Sequence, residues 1–299
     1  MTTQTPFPAR PGRRAVLAGL AGSAAALAAP RLARAQGLSR PDVIIGWTPW
    51  ADAEATTKLV ARILRERKGL DVELALADID AQFRTVASGD IDMMLMSWEP
   101  GLHASYLRRH GGELANLGAL YEGSIGLAVP EWVGPDRIAS IADLARPDLA
   151  EALGSTITGI DPGAGLMSVT REAIEIYGLS GYTLSEGTGP TMVRAVARAA
   201  RREAPIVVTA WRPHAKFALY GMRYLDDPKG VFAARSTITA RANADFAARN
   251  PDLVAVIDRI SLPTPALEGI MAQARTDGID AAIEAWMADN ASTIDAWLG

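Results

Sequence analysis

Short apolar runs alternate with longer amphipathic stretches along most of this chain, and that alternation sets the first expectations. Val43, Ile44 and Ile45 open a β-branched run that predicts a strand over 43–47. Residues 54–68 carry apolar side chains at helical spacing and stop at Gly69, a residue suited to ending a helix. A second strand is predicted over 72–77, and a short helix over 81–88 closed by Gly89. A third strand over 91–96 is apolar at nearly every position, the pattern of a strand covered on both faces. Residues 103–110 continue as a helix stopped by Gly111 and Gly112.

The pattern changes at 125–130, an apolar strand ending in Pro130 that reads as a crossing into a second set of elements. That set has a short helix over 140–145, a strand over 155–160, helices over 166–177 and 191–202, and a buried-type strand over 206–210 ending at Trp211. Residues 230–232 and 236–240 read as the return crossing. From about residue 242 the chain is helical, over 244–249, 251–260, 265–277 and 279–297. Strands alternating with helices imply an α/β protein with a largely parallel sheet and helices on both faces. Two such sets joined by two crossings make a two-lobed clamshell with a ligand cleft between the lobes. Lobe 1 is expected over 36–124 plus 234–299, and lobe 2 over 125–233. A length of 299 residues suits two cores better than one.

The first 35 residues belong to neither lobe. Arg10, Arg13 and Arg14 precede an Ala/Gly-rich apolar stretch over 15–30, and Ala33-Arg34-Ala35 sets small residues where a signal peptidase reads. This predicts a signal peptide over 1–35, cleaved near Ala35. The Arg13-Arg14 pair points to twin-arginine export, with an ordinary Sec signal as the alternative. The apolar stretch is too short for a membrane span. With no cysteine there is no lipoprotein anchor, disulfide or thiol chemistry, and the expected location is a bacterial periplasm. Removing the five signal arginines leaves 25 basic against 34 acidic side chains, a net charge of −9. That balance argues against nucleic acid or an anionic membrane surface as a partner.

The seven tryptophans carry the most chemical information. Trp47 and Trp50 sit where the first strand hands over to its helix. Trp98 and Trp211 follow similar apolar runs, each with a proline two residues on. Ligands bind at such strand ends in open α/β sheets. Trp286 and Trp297 occupy core-like helix positions and read as packing; Trp132 stands in a loop and supports no reading. Aromatic rings gathered at strand ends suit a quaternary ammonium, which donates no hydrogen bond and whose diffuse charge is matched by the negative faces of the rings. Each desolvated contact is worth roughly 1–2 kcal/mol. Three or four of them, less the cost of immobilising the guest, leave about 5–8 kcal/mol, or micromolar binding.

Other polar residues have two readings each. Asp52 stands near a helix start and reads as a cap, a role to weigh against the one the resemblance below implies. His214 either caps its helix or joins the site, and Trp47 and Tyr182 are further candidates. His103 and His110 lie seven apart with no third ligand nearby, so no metal site is expected. Gly163 and Gly165 match half of a dinucleotide fingerprint, and the rest of its spacing fails. The helix bearing Arg194, Arg198, Arg201 and Arg202 reads as a solvated face or a docking face for a membrane transporter.

Taken in order, several segments resemble one family. They are Trp50-Ala51-Asp52-Ala53-Glu54-Ala55-Thr56-Thr57, Gly89-Asp90-Ile91-Asp92, Trp98-Glu99-Pro100-Gly101-Leu102-His103, Gly126-Leu127-Ala128-Val129-Pro130, Gly159-Ile160-Asp161-Pro162-Gly163-Ala164-Gly165, and Trp211-Arg212-Pro213-His214 with Leu225-Asp226-Asp227-Pro228-Lys229-Gly230. The set resembles periplasmic substrate-binding proteins of the glycine betaine/choline class, which serve ABC importers, and the likeness covers essentially the whole mature chain.

The resemblance implies cage walls from Trp50, Trp98 and Trp211. It sets Tyr121 near the fourth aromatic of choline-type members and Asp52 beside the ammonium. His103 and the backbone amides around Ala164 and Gly165 would hold a carboxylate. Some betaine binders have a tryptophan where this chain has Ala164, so a further wall is expected from Tyr121, Tyr182 or Trp47. The expected ligand is glycine betaine, then choline, carnitine, proline betaine or trimethylamine N-oxide, delivered to a membrane permease. No cofactor and no catalysis are implied. Two rivals of another class are an exported enzyme, which no nucleophile motif, metal cluster or cofactor fingerprint supports, and a solute sensor.

Overall fold

β1 (Val43–Trp47) leads into α1 (Ala51–Lys68), which closes at Gly69 in the left-handed conformation that frees its N–H for the carbonyls of Arg65 and Leu64. The computed structural model describes residues 40–232 and 235–299, so the expected signal peptide and its cleavage point lie outside the described residues. β2 (Val72–Leu76) and α2 (Ile79–Ser88) follow, the helix started by the Asp78 carboxylate accepting the Ala81 N–H. β3 (Met93–Glu99) buries six successive residues from Met93 to Trp98, the central-strand pattern the sequence suggested. α3 (Ala104–His110) then delivers the chain to β4 (Leu114–Pro130).

Beyond β4 come α4 (Pro147–Ala152), β5 (Thr156–Thr158), α5 (Gly165–Ile176), β6 (Thr183–Ser185) and α6 (Gly189–Ala200). β7 (Val207–Arg212), α7 (Lys216–Tyr220) and β8 (Met222–Tyr224) precede the return strand β9 (Ser236–Asn243). Five helices end the chain: α8 (Ala244–Arg249), α9 (Pro251–Asp258), α10 (Thr264–Asp277), α11 (Ile279–Asp289) and α12 (Ala291–Leu298). The single helix expected over 279–297 is two, broken at Asn290, whose backbone N–H and side-chain amide both donate to the Trp286 carbonyl.

The strands are ordered β2-β1-β3-β9-β4-β7-β5-β6, with β8 beside β4. Pairs β1/β2, β1/β3, β5/β6 and β5/β7 are parallel, whereas β3/β9, β4/β9, β4/β7 and β4/β8 are antiparallel. The sheet is therefore mixed rather than largely parallel. Its two parallel sets are separated by the crossing strands, which run against their neighbours.

β4 is the long element of this arrangement. It pairs with β9 from Leu114 to Gly123 and with β7 from Ser124 to Ala128, so one strand serves both parallel sets. Only its second half was expected from sequence. Asn116, Gly118 and Glu122 interrupt the apolar pattern of the first half, although pairing with β9 makes it a strand. A β-carbon at Gly123 would sit 2.5 Å from the Trp98 ring, so glycine there leaves room for the indole. Among the described residues no helix is long and apolar enough to cross a membrane.

Candidate functional site

Trp50, Trp98 and Trp211 line one small cavity of about 20 Å³, together with His103, Ala164, Gly165 and four aliphatic side chains. Their positions follow from the elements just described. Trp50 is the extended residue before α1, Trp98 the penultimate residue of β3, and Trp211 the penultimate residue of β7. Trp98 and Trp211 thus sit inside their strands rather than just beyond them, and both following X–Pro bonds, Glu99–Pro100 and Arg212–Pro213, are cis. The three indoles are 6 %, 3 % and 4 % exposed, dry enough for ring faces to interact strongly with a cation.

Two of the indoles are held across the structure by carboxylates. Trp50 Nε1 donates to Asp161 Oδ2 at 2.8 Å, and Trp211 Nε1 donates to Asp52 Oδ1 at 2.8 Å. Trp50 and Asp52 flank the start of α1; Asp161 follows β5 and Trp211 lies on β7. Each parallel set therefore supplies one indole and one carboxylate to the other. Asp161 was not singled out from sequence, although it stands within the Gly159–Gly165 segment.

Asp52 and Tyr121 are not in the cavity wall. Asp52 is fully buried and accepts from Trp211 Nε1, from Tyr121 Oη at 2.8 Å, and from the backbone N–H groups of Asp52 and Ala53. Burial raises its carboxyl above the ordinary range, and the hydrogen bonds from Tyr121, Trp211 and the backbone pull it back. Burial likewise raises the Tyr121 hydroxyl well above its ordinary value, with Asp52 adding to the rise, so Tyr121 remains a donor. Neither reading of Asp52 describes this geometry: Trp50 holds the N-cap position, Asp52 lines no part of the cavity, and its carboxylate fixes the edge of Trp211. Tyr121 buttresses Asp52 and forms no fourth wall.

His103 lines the cavity and is fully buried, with its ring 6.0 Å from that of Trp50 and inclined 29° to it. Its Nδ1 accepts the Trp98 backbone N–H at 2.9 Å. Burial pulls its pKa down to about 3, against the opposing charge of Glu99. A neutral ring whose Nδ1 accepts carries its proton on Nε2. That Nε2 has no hydrogen-bond partner among the described residues. Glu99 in turn accepts from Arg241 at 2.8 and 2.6 Å, Thr239 at 2.6 Å and Ser97 at 2.7 Å. Burial pushes the Glu99 carboxyl up, and the bonds from Arg241, Thr239 and Ser97 more than reverse this. This network ties the end of β3, and so Trp98, to β9.

Ala164 and Gly165 face the cavity at the start of α5, whose N-cap Ala164 offers no side-chain acceptor. First-turn N–H groups and the helix dipole there favour a negative group. Glycine is required at 165 because a β-carbon would lie 2.6 Å from the Leu102 carbonyl oxygen.

The other candidates lie elsewhere. Trp47, Tyr182 and His214 do not line this cavity. His214 packs edge-on against Trp211 with centroids 4.8 Å apart, and its Nδ1 accepts the Lys216 N–H at 3.1 Å. Trp286 and Trp297 stack on each other at 6.0 Å, as packing residues should, and Trp132 donates to the Ala204 carbonyl. Among the described residues no cluster of three or more His, Asp or Glu side chains could hold a metal.

Mixed sheet, shared long strand and apolar cavity together define a two-lobed type II periplasmic binding-protein fold. Residues 41–289 match the model of the substrate-binding domain of ABC-type glycine betaine transport systems, and the chain belongs to that family. Lactococcal OpuAC, in its closed form complexed with glycine betaine, is 27 % identical with a TM-score of 0.79, the likeness covering 86 % of this chain and 99 % of that one. An ABC-transporter choline-binding protein complexed with choline shares the fold at 24 % identity and a TM-score of 0.77, over 86 % and 91 % of the two chains. The glycine betaine/carnitine transport binding protein GbuC of Listeria monocytogenes is 31 % identical over 157 residues, 51 % of this chain. The match spans about half, 52 %, of that curated relative.

Proposed function

We propose that this protein captures glycine betaine outside the cytoplasm and delivers it to the permease of an ABC importer. The observation that carries this reading is the convergence of Trp50, Trp98 and Trp211 on one cavity that His103, its Nε2 unpartnered, also lines. The trimethylammonium group takes the ring faces, where it loses little by leaving water and gains from each quadrupole. The carboxylate takes the His103 Nε2–H and the N–H groups at the start of α5. Neither role involves bond making, so the protein acts as a carrier rather than a catalyst. The lobes are 36–124 plus 234–299 and 125–233. The switch of β4 from β9 to β7 between Gly123 and Ser124 supports that first boundary. Export with cleavage near Ala35 would place the mature protein in the periplasm.

Choline, carnitine and trimethylamine N-oxide share the cationic or dipolar head and are the competing guests. A hydroxyl in place of the carboxylate forgoes the charge-assisted bonds, which is why glycine betaine is preferred. Titration calorimetry of the mature protein against this panel tests the proposal. Micromolar binding is expected for glycine betaine, weakened at least tenfold by Trp98→Ala or Trp211→Ala, since one cation–π contact supplies about 1.4 kcal/mol. Unchanged affinity in both variants would remove the cage from this cavity.

A further inference from the structure

Lys216 is a fully buried amine with no carboxylate at ion-pairing distance among the described residues. Its Nζ stands 4.1 Å from the centroid of the Trp211 ring and 5.3 Å from that of Phe217, and donates to the Trp211 carbonyl oxygen at 3.4 Å. It does not line the cavity that Trp211 lines. One indole therefore has an ammonium over its ring, a carboxylate (Asp52) on its N–H edge and the cavity beside it.

The charged groups around Lys216 come from three directions. Asp52 on α1 and Glu268 on α10 favour its charged form, whereas Arg212 at the end of β7 opposes it. Arg212 and Glu268 pair with each other at 3.3 Å and so largely cancel. His214 is held neutral by burial, with Lys216 and Arg275 of α10 pushing its pKa the same way. Asp52 is thus the net counter-charge, and it reaches Lys216 through the indole they share.

We propose that Lys216 sets the net charge of the guest the cage accepts, disfavouring a monocation relative to a zwitterion. The inference rests on Trp211 being a cage wall. A guest ammonium within ~6 Å of that ring comes within ~10 Å of Lys216 Nζ, with an indole rather than water between them. Like charges so placed repel with little screening. The ammonium also draws the electron density of the ring toward itself, leaving less for a second cation. A zwitterion brings a carboxylate whose attraction to Lys216 offsets part of this repulsion; choline brings none. Burial pulls the Lys216 ammonium well below its ordinary range and Asp52 pulls it back, so the discrimination fades as pH rises and the amine loses its proton.

The test is calorimetric titration of the mature chain with glycine betaine and with choline chloride between about pH 6 and 10, comparing wild type, Lys216→Met and Lys216→Arg. Lys216→Met should raise choline affinity relative to glycine betaine at least tenfold at neutral pH and flatten the pH profile of the ratio. Lys216→Arg, charged throughout, should hold the wild-type low-pH ratio across the range. An unchanged ratio and profile in Lys216→Met, with binding intact, overturns the role of Lys216 and leaves the cage standing. A wild-type protein that binds neither compound overturns the cage, and this inference with it. Should Lys216→Met fail to fold by circular dichroism, a ratio that does not vary with pH in wild type overturns the inference by itself.

Discussion

His103 has two nitrogens with two separate tasks. Nδ1 is occupied by the Trp98 amide, which orients the ring and, with burial holding it neutral, leaves the proton on the unpartnered Nε2. His103→Asn keeps an oxygen to accept the Trp98 N–H and removes the Nε2–H donor. Glycine betaine affinity should therefore drop about tenfold or more, the cost of one charge-assisted hydrogen bond, with choline much less affected. Equal losses for both ligands, measured by calorimetry, would show that Nε2 does not serve the carboxylate. Asp52 and Tyr121 illustrate the opposite case. They read as ligand contacts in the sequence, and their donors and acceptors are instead satisfied by α1, by Trp211 and by each other.

Between elements, the indole–carboxylate bonds are reciprocal: Trp50 before α1 reaches Asp161 after β5, and Trp211 on β7 reaches Asp52 on α1. Trp50 and Trp211 are thereby each oriented by the parallel set they do not belong to, so these two walls and the approach of the sets form together. Asp161→Ala should weaken ligand binding roughly tenfold through loss of one hydrogen bond to a charged group, while moving the melting temperature of the free protein little because Asp161 is part-exposed. A variant that melts much earlier yet binds normally would assign the Asp161 bond to folding. Gly165 belongs to the same contact. Gly165→Ala would press a β-carbon onto the Leu102 carbonyl and should lower affinity more than stability, read from the same two measurements.

At the scale of the whole molecule, two buried neutral histidines make stability depend on pH. The unfolded chain protonates His103 below about pH 6.5, while the folded protein resists down to about pH 3. His214, also driven well below its ordinary value by burial, acts in the same sense. Their contribution is complete above about pH 6.5 and is lost as pH falls from there, at up to roughly 1.4 kcal/mol per pH unit for each histidine. Asp52, raised by burial, partly opposes this, and Glu99, lowered by its partners, adds to it in the carboxylate range. Thermal melts should shift downward between about pH 6.5 and 4.5. His103→Asn should show a shallower slope, and an identical slope would mean that His103 is protonated in the folded state.

Patterning along the chain determined most helices, the strands β1, β3 and β7, and the tryptophans at their ends, because burial on one or both faces leaves a periodic record in neighbouring residues. That is why Trp50, Trp98 and Trp211 could be named in advance; His103, Ala164 and Gly165 were named through the family resemblance, and all six are found on one cavity. The first half of β4, the short β6 and β8, and α7 left no such record. They owe their form to partners far along the chain: β9 and β7 for β4, β5 for β6, β4 for β8. Tertiary structure alone decided that Asp161 would hold Trp50, that Asp52 would hold Trp211, and that Lys216 would stand over the same ring. Such bonds join residues more than a hundred positions apart in the first two cases, and no local period of apolar side chains encodes them.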